Sequence, residues 1–339
     1  MNAVQIVKPY KAKIIEVPEP KIGPADVLIK VKALGLCGSD LKTYLGQNPM
    51  VSYPRIPGHE IGGEIIQTGS QVPDRFKPGL KITVSPYTAC GECSACRIGR
   101  VNCCRDNQTM GIQRDGAAKE YIAVPFQKVF LANNLSFEQI ACIEPLSVGW
   151  HATNRAGVQK DEIVLVFGCG VIGLGAIIAS NYKKARVIAV DIDDEKLKKA
   201  EKLGADITIN SSRENLKERM SRITNLMGPQ VVIEAVGHPD TYRACIDLVG
   251  YAGRVVYIGY SKRSVQYDTK FFVSKELDIK GSRNALDFEI KEVIQMVSSA
   301  NINFDCLVSQ RFPMEKIDIA LNFWSSNPQK VTKIIAYND

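Results

Sequence analysis

Ten cysteines and only three histidines stand in this chain of 339 residues, and four of the cysteines crowd one segment. Cys90, Cys93, Cys96 and Cys104 read CxxCxxC and then, after seven intervening residues, a fourth cysteine within ACGECSACRIGRVNCC. Four thiolates close a tetrahedral shell around zinc, and Gly91 and Gly99 help the backbone turn back on itself. A complete shell leaves no open position for substrate, so this site reads as structural. Cys103 competes with Cys104 for the fourth place. Disulfides are the other use of dense cysteines, but metal-ligand spacing favours thiolate ligation.

Two further turns carry ligand-type side chains. LCGSD, Leu36 to Asp40, offers the Cys37 thiol, and GHE, Gly58 to Glu60, offers the His59 imidazole, both flanked by glycines that suit contorted backbone. Each is weak alone, since a single histidine is more often a structural hydrogen-bonding residue. Acids stand nearby: Glu60 beside His59, and Glu144 in IEPLSVG. Their bland readings are a surface carboxylate for Glu60 and a helix-entry acid before Pro145 for Glu144.

Gly168, Gly170 and Gly173 form GxGxxG, with Val171 and Ile172 inside it, directly after the apolar run IVLVF and at the start of a helical pattern. In that context the motif signals a dinucleotide: the glycines allow a tight turn and close approach of a pyrophosphate, which the helix N-terminus meets. Asp191 follows Gly173 by 18 residues, at the end of the next strand. There an acid accepts hydrogen bonds from both ribose hydroxyls and repels a 2′-phosphate, favouring NAD over NADP. The competing role for Asp191 is the N-cap of the helix in DDEKLKKA.

The elements that must position these residues fall into two groups, as the length leads one to expect. From Ala25 to about Val129, short β-rich segments such as VLIKVKALG, GGEIIQTG and KITVSPY alternate with Gly and Pro, the pattern of an antiparallel barrel-like domain. After Trp150 the apolar strands IVLVFG, RVIAVD, ITIN, VVIEAVG and RVVYIG alternate with helical segments, the pattern of a doubly wound parallel α/β sheet. Ile163 to Ser180 is long enough to mimic a membrane span, but its glycines assign it to the dinucleotide turn. FEIKEVIQMVSSA is helical, and VTKIIAY is a closing strand that returns to the first domain.

Hydrophobic content of 45% and charged content of 23% are those of a compact globular protein. The net charge of +7 suits anionic ligands. With no basic block, helix-turn-helix pattern or RNA-binding aromatic motif, nucleic acid is not expected as a partner, nor is a membrane. The start, MNAVQIVKPY, has no secretory pattern, and a cytoplasmic location is the expectation.

Taken together, LCGSD, PGHEIGGEI, the four-cysteine lobe and IEPLSVGWHA resemble the zinc-containing medium-chain dehydrogenase family over nearly the whole chain. Their spacing is similar to that of its sorbitol dehydrogenase-like branch, which acts on polyols, threonine and sugar acids. The resemblance implies an α/β fold: a Rossmann NAD-binding domain at 147–283, and a β-rich GroES-like catalytic domain at 1–146 with 284–339, its zinc lobe at about 88–106. It implies two zinc ions per chain and NAD. Cys37 and His59 become catalytic zinc ligands, with Glu60 or Glu144 as the third, and Ser39 starts proton export.

By the same resemblance Lys196 contacts the adenosine ribose, Ala235, Val236 and Gly237 line the nicotinamide cleft, and Arg283 and Asn284 in GSRNA hold substrate hydroxyls or a carboxylate. An interdomain or subunit salt bridge is an equal role for Arg283. The chain departs from the pattern at Lys42, where many relatives carry a relay histidine, and at DGAAKEY, Asp115 to Tyr121. The implied activity is hydride transfer from a secondary hydroxyl of a sugar acid of the L-galactonate or L-gulonate kind. Sorbitol, galactitol-phosphate and L-threonine oxidation are the rival activities, and a zinc-lobe nucleic-acid binder or an inactive sensor the non-enzymatic ones. A homodimer or homotetramer through the edge of the cofactor-domain sheet is expected.

Overall fold

The structure is a computed structural model that describes residues 1–338. It divides into two compact units. The first comprises Met1–Glu144, Leu286–Ser299 and the chain from Val308 onward, and the second Pro145–Ala285 with Ala300–Leu307.

In the first unit a seven-stranded sheet runs in the order Val308–Pro313, Lys333–Tyr337, Asp26–Leu36, Glu60–Thr68, Lys81–Val84 and Val129–Leu131, with Tyr121–Pro125 also paired to Asp26–Leu36. All pairings are antiparallel except that between the last two strands of the chain. A separate hairpin joins Asn2–Lys8 to Lys11–Glu16. Period-two patterning explains the central strand: Val27, Ile29 and Val31 are buried, while Leu28, Lys30 and Lys32 are only half-buried. From Ala33 to Leu36 the alternation stops and every residue is buried, because both faces of this end are covered. Each fully buried aliphatic side chain contributes about 1.5–3 kcal/mol relative to exposure. The strand therefore anchors the residue that follows it, Cys37.

The second unit is a six-stranded, wholly parallel sheet in the order Ile207–Asn210, Arg186–Asp191, Ile163–Phe167, Val231–Glu234, Arg254–Tyr257, Asp278–Gly281. In chain order this is the doubly wound arrangement, whose direction reverses between Ile163–Phe167 and Val231–Glu234. The ligand crevice of such a sheet lies at the carboxyl ends of those two strands. The run from Ile163 to Ser180 is a strand followed by most of the helix Val171–Tyr182. Among the described residues, no helix is long and apolar enough to cross a membrane.

The sequence divides the chain at 147 and 284; the compact units divide it after Glu144 and after Ala285. A second difference is larger. Residues 300–307, expected with the catalytic domain, group with the dinucleotide unit, because the short helix Phe304–Leu307 buries Phe304, Cys306 and Leu307 and packs beside the helix Asp194–Lys202.

Candidate active site

Three strands of the first unit converge on one cluster, buried but for half-buried Cys37. Strand Asp26–Leu36 ends at Cys37, which is also the N-cap of the short helix Gly38–Tyr44. His59 precedes and Glu60 opens the antiparallel neighbour Glu60–Thr68, where Gly35 lies opposite Glu60. The ligand atoms of Cys37, His59 and Glu60 all lie within 4.8 Å of one another. A Cβ at Gly35 would collide with the Glu60 carboxylate, so only glycine leaves room for that side chain.

Asp40 ties the two ligand turns together. It is fully buried, and its two carboxylate oxygens accept from the Cys37 amide at 2.9 Å and the Gly58 amide at 3.1 Å. On the other flank, Lys333 opens the strand Lys333–Tyr337 and donates to both Glu60 oxygens, each at 2.6 Å, and to the Leu36 carbonyl at 3.1 Å. Neither Lys333 nor Glu60 has any exposed side-chain surface. Burial alone would favour neutral lysine; the Glu60 and Cys37 charges and the hydrogen bond to Glu60 together outweigh it and push the ammonium pKa up.

Glu144 lies in the first turn of the helix Ile143–Ala156 and is buried, with the Tyr87 hydroxyl donating to it. It stands outside the group formed by Cys37, His59 and Glu60. Burial raises its pKa, opposed by His59 and reinforced by Glu60. Burial and the Glu144 charge together push the Tyr87 hydroxyl up. The sequence left both Glu60 and Glu144 open as the third ligand; the geometry brings only Glu60 within reach of Cys37 and His59.

The cluster fits a divalent cation. It combines a thiol, an imidazole and a carboxylate, the donor set of zinc. His59 Nδ1 is buried and has no hydrogen-bond partner among the described residues. Burial opposes charge on the imidazole, yet Cys37, Asp40 and Glu144 outweigh it and raise the pKa well above its usual value. Around His59 itself these anionic groups prevail, and a metal ion would supply positive charge there in place of a proton. The buried hydroxyl of Ser39 likewise has no partner among the described residues, while Lys42, one helical turn on, is exposed.

The second cysteine group forms a lobe of its own. Cys90, Cys93, Cys96 and Cys104 bring their sulfurs within 4.8 Å of one another. Backbone amides already point at them: Cys90 N–H donates to Cys104 Sγ and Cys93 N–H to Cys90 Sγ, both at 3.3 Å. Amides of Arg105 and Cys96 lower the Cys93 thiol to about 6, the thiolate form that metals bind. Cys103 is not a member; the 3₁₀ turn Val101–Cys103 carries the chain round so that buried Cys104 takes the fourth place.

In the second unit, Gly168 at φ 90° ends the first strand and Gly170 caps the helix Val171–Tyr182. At Gly173 any Cβ would strike the Gly168 carbonyl, so the helix approaches the strand more closely than a side chain permits. Val171 and Ile172 form its first turn, where unpaired amides face the turn. Asp191 accepts from the amides of Cys169 and Ile192 at 2.8 Å and of Asp193 at 3.1 Å. Asp193, not Asp191, caps the next helix, accepting from the amides of Glu195 and Lys196, so Asp191 is not used up as a cap.

Across the switch point, Ala235 N–H donates to the Phe167 carbonyl at 2.9 Å. Fully buried Glu234 accepts from the amides of Val236 at 3.0 Å and Gly237 at 2.8 Å. Arg283 is exposed and Asn284 has a φ of 54°; both belong to the second unit, just past the strand Asp278–Gly281.

Sequence reasoning missed Asp40, Tyr87, Lys333 and Glu234. A signal existed for two of them. Asp40 stands three residues after Cys37, the spacing of a capping box, and Lys333 interrupts an otherwise apolar strand, KIIAY. Nothing local marks Tyr87 or Glu234.

Comparison with known proteins agrees with this geometry. A model described as "Zinc-binding dehydrogenase" matches residues 171–299, and one described as "Alcohol dehydrogenase GroES-like domain" matches residues 23–134. L-galactonate-5-dehydrogenase of Escherichia coli K12 is 34% identical over 88% of this chain and 87% of its own length. Sorbitol dehydrogenase of Bacillus subtilis 168 is 33% identical over 99% of this chain and 97% of its own. An alcohol dehydrogenase, rspB of Escherichia coli CFT073, crystallised with NADH, superimposes with a TM-score of 0.92 at 30% identity, covering 100% of this chain and 99% of that one.

Proposed function

Because the chain belongs to the zinc-type medium-chain alcohol and polyol dehydrogenase family, whose members act on CH–OH groups, we propose that it oxidises a secondary hydroxyl of a polyol or sugar acid and passes the hydride to NAD+. The observation that carries this reading is the group of half-buried Cys37 with buried His59 and Glu60. These three hold the catalytic zinc, and Cys90, Cys93, Cys96 and Cys104 hold a structural one. When bound, the catalytic ion supplies a Lewis acid that makes an alcohol hydroxyl acidic near neutral pH.

The protein's own residues do the rest. The Ser39 hydroxyl, without a partner among the described residues, accepts the substrate proton and hands on its own. Lys42, exposed on the same short helix, stands where many relatives carry a relay imidazole, so the step after Ser39 is not made by a histidine at that position. Glu144, oriented by Tyr87, offers a second buried carboxylate to a hydroxyl-rich substrate. Arg283 and Asn284 are the groups we assign to a further hydroxyl or a substrate carboxylate.

For the cofactor, the amides of Val171, Ile172 and Gly173 after Gly168 and Gly170 meet the pyrophosphate. Asp191, three of whose roughly four acceptor positions are taken by amides, keeps one for a ribose hydroxyl and a charge that opposes a 2′-phosphate. Lys196 reaches the ribose, and Ala235, Val236 and Gly237, braced by Glu234, line the nicotinamide site. The edge of the strand Asp278–Gly281, unpaired among the described residues, suits a homodimer or homotetramer.

The test is metal analysis of the purified protein with an NADH-absorbance screen over aldonates, polyols, polyol phosphates and L-threonine. Two zinc ions per chain, and a sugar acid or polyol oxidised faster than ethanol, are expected. If no secondary alcohol outpaces ethanol, the proposal is wrong.

A further inference from the structure

A lysine and a glutamate without exposed surface are an odd pair to find behind a metal site. Replacing a buried ion pair by well-packed apolar residues is often neutral or stabilising. The strand that carries Lys333 is otherwise apolar, KIIAY, and three of its remaining residues are buried. Packing alone therefore gives no reason for a lysine here. Its ammonium also binds both Glu60 oxygens, at 2.6 Å each, so neither oxygen is left as an undisturbed donor.

We propose that Lys333 weakens Glu60 as a metal donor, so that the catalytic zinc is held less tightly, and remains a stronger Lewis acid, than the three protein ligands alone would leave it. The inference rests on the zinc reading given above and goes beyond it by assigning Lys333 a positioning and charge-setting role. A Cys37 thiolate and the Glu60 carboxylate together balance the charge of a zinc ion. Lys333 adds one positive charge within direct bonding distance of that carboxylate. In a site shielded from water this charge repels the cation and draws electron density from Glu60. Both effects loosen the metal, and both leave more positive charge to stabilise an alcohol as it loses its proton.

This role has a signature that a structural one lacks. Loss of a structural prop lowers metal retention and turnover together. Loss of the Lys333 charge raises the first and lowers the second. The experiment compares the zinc-loaded holoenzyme with Lys333→Met, Lys333→Gln and Lys333→Arg. It measures release of catalytic zinc to a chelator, the absorption bands after cobalt exchange, and kcat with the best alcohol from the substrate screen.

In Lys333→Met and Lys333→Gln, release should slow, the opposite of what loss of an ordinary outer-sphere partner brings, and kcat should fall by about 10–100-fold, with shifted cobalt bands and the four-cysteine zinc retained. Lys333→Arg, which keeps the charge, should restore both. Lys333→Gln keeps a hydrogen-bond donor to Glu60 and guards against a misfolded Lys333→Met. Zinc that leaves Lys333→Gln at the wild-type rate or faster overturns the proposal. A wild-type protein that binds one zinc and oxidises no alcohol overturns the zinc dehydrogenase reading instead, so the two failures are distinct.

Discussion

Adding a single methyl group at Gly35 should disable the catalytic site while leaving the cysteine lobe intact. In Gly35→Ala the new Cβ would lie 2.9 Å from Glu60 Cβ and 3.0 Å from its Cδ, and closer still to a carboxylate oxygen. Carbon atoms do not pack at that distance, so either the two strands part or Glu60 rotates. Overpacking of this kind costs about 1–3 kcal/mol. If Glu60 turns away, the pair with Lys333 breaks as well, and breaking a buried pair costs about 3–5 kcal/mol. Relaxation shares these costs, and the total should fall at about 2–6 kcal/mol. At about 2–4 °C per kcal/mol for a unit of this size, the melting temperature should drop by roughly 5–20 °C. Zinc content should fall from two ions per chain toward one as Glu60 leaves the cluster. The control is Gly38→Ala, where a Cβ meets nothing within 4 Å and which should leave stability within about 1 kcal/mol. Scanning calorimetry and metal analysis of both variants decide the matter. Should Gly35→Ala melt with Gly38→Ala and keep both zincs, the packing of Glu60 against Gly35 is refuted.

Other consequences are as direct. Cys104→Ser should lose the lobe zinc and Cys103→Ser should keep it, because only Cys104 joins the sulfur cluster; metal analysis of each variant checks this. Asp191→Asn keeps the shape of the residue but removes its charge. It should lower kcat/KM for NAD+ by about 10–100-fold, the worth of one or two charged hydrogen bonds, and raise that for NADP+; unchanged values for both cofactors would count against Asp191 as the discriminator. Glu138 gives a pH test. Burial favours its neutral form, but Arg311, bonding at 2.7 and 2.8 Å, and Tyr337 outweigh that and lower its pKa. Its contribution to stability is complete above the usual carboxylate value of 4.5 and is lost as the pH falls through the lowered folded value. Arg311→Met should therefore lose stability at pH 7 and show a shallower further loss between pH 5 and pH 3, read by denaturant unfolding across that range.

Much of this protein could be read along the chain because its determinants are local. CxxCxxC needs only a short loop to bring thiols together, and a GxGxxG turn between strand and helix is a single supersecondary unit. Period-two alternation in VLIKVKA and parallel-sheet runs such as IVLVF declare the two kinds of sheet. The tertiary structure decided what depends on residues far apart in sequence. Glu60 rather than Glu144 joins Cys37 and His59 because the strand pairing sets it opposite Gly35, while Glu144, bonded by Tyr87, stands outside that group. Cys104 rather than Cys103 completes the lobe because of how one short turn closes. Lys333 lies 273 residues from Glu60, and no spacing rule joins them; the antiparallel pairings of Asp26–Leu36 with Lys333–Tyr337 on one side and with Glu60–Thr68 on the other bring them together. Ligand types follow from local chemistry, but the charge that a buried carboxylate meets comes from any strand that packs beside it, and that neighbour is chosen by the sheet.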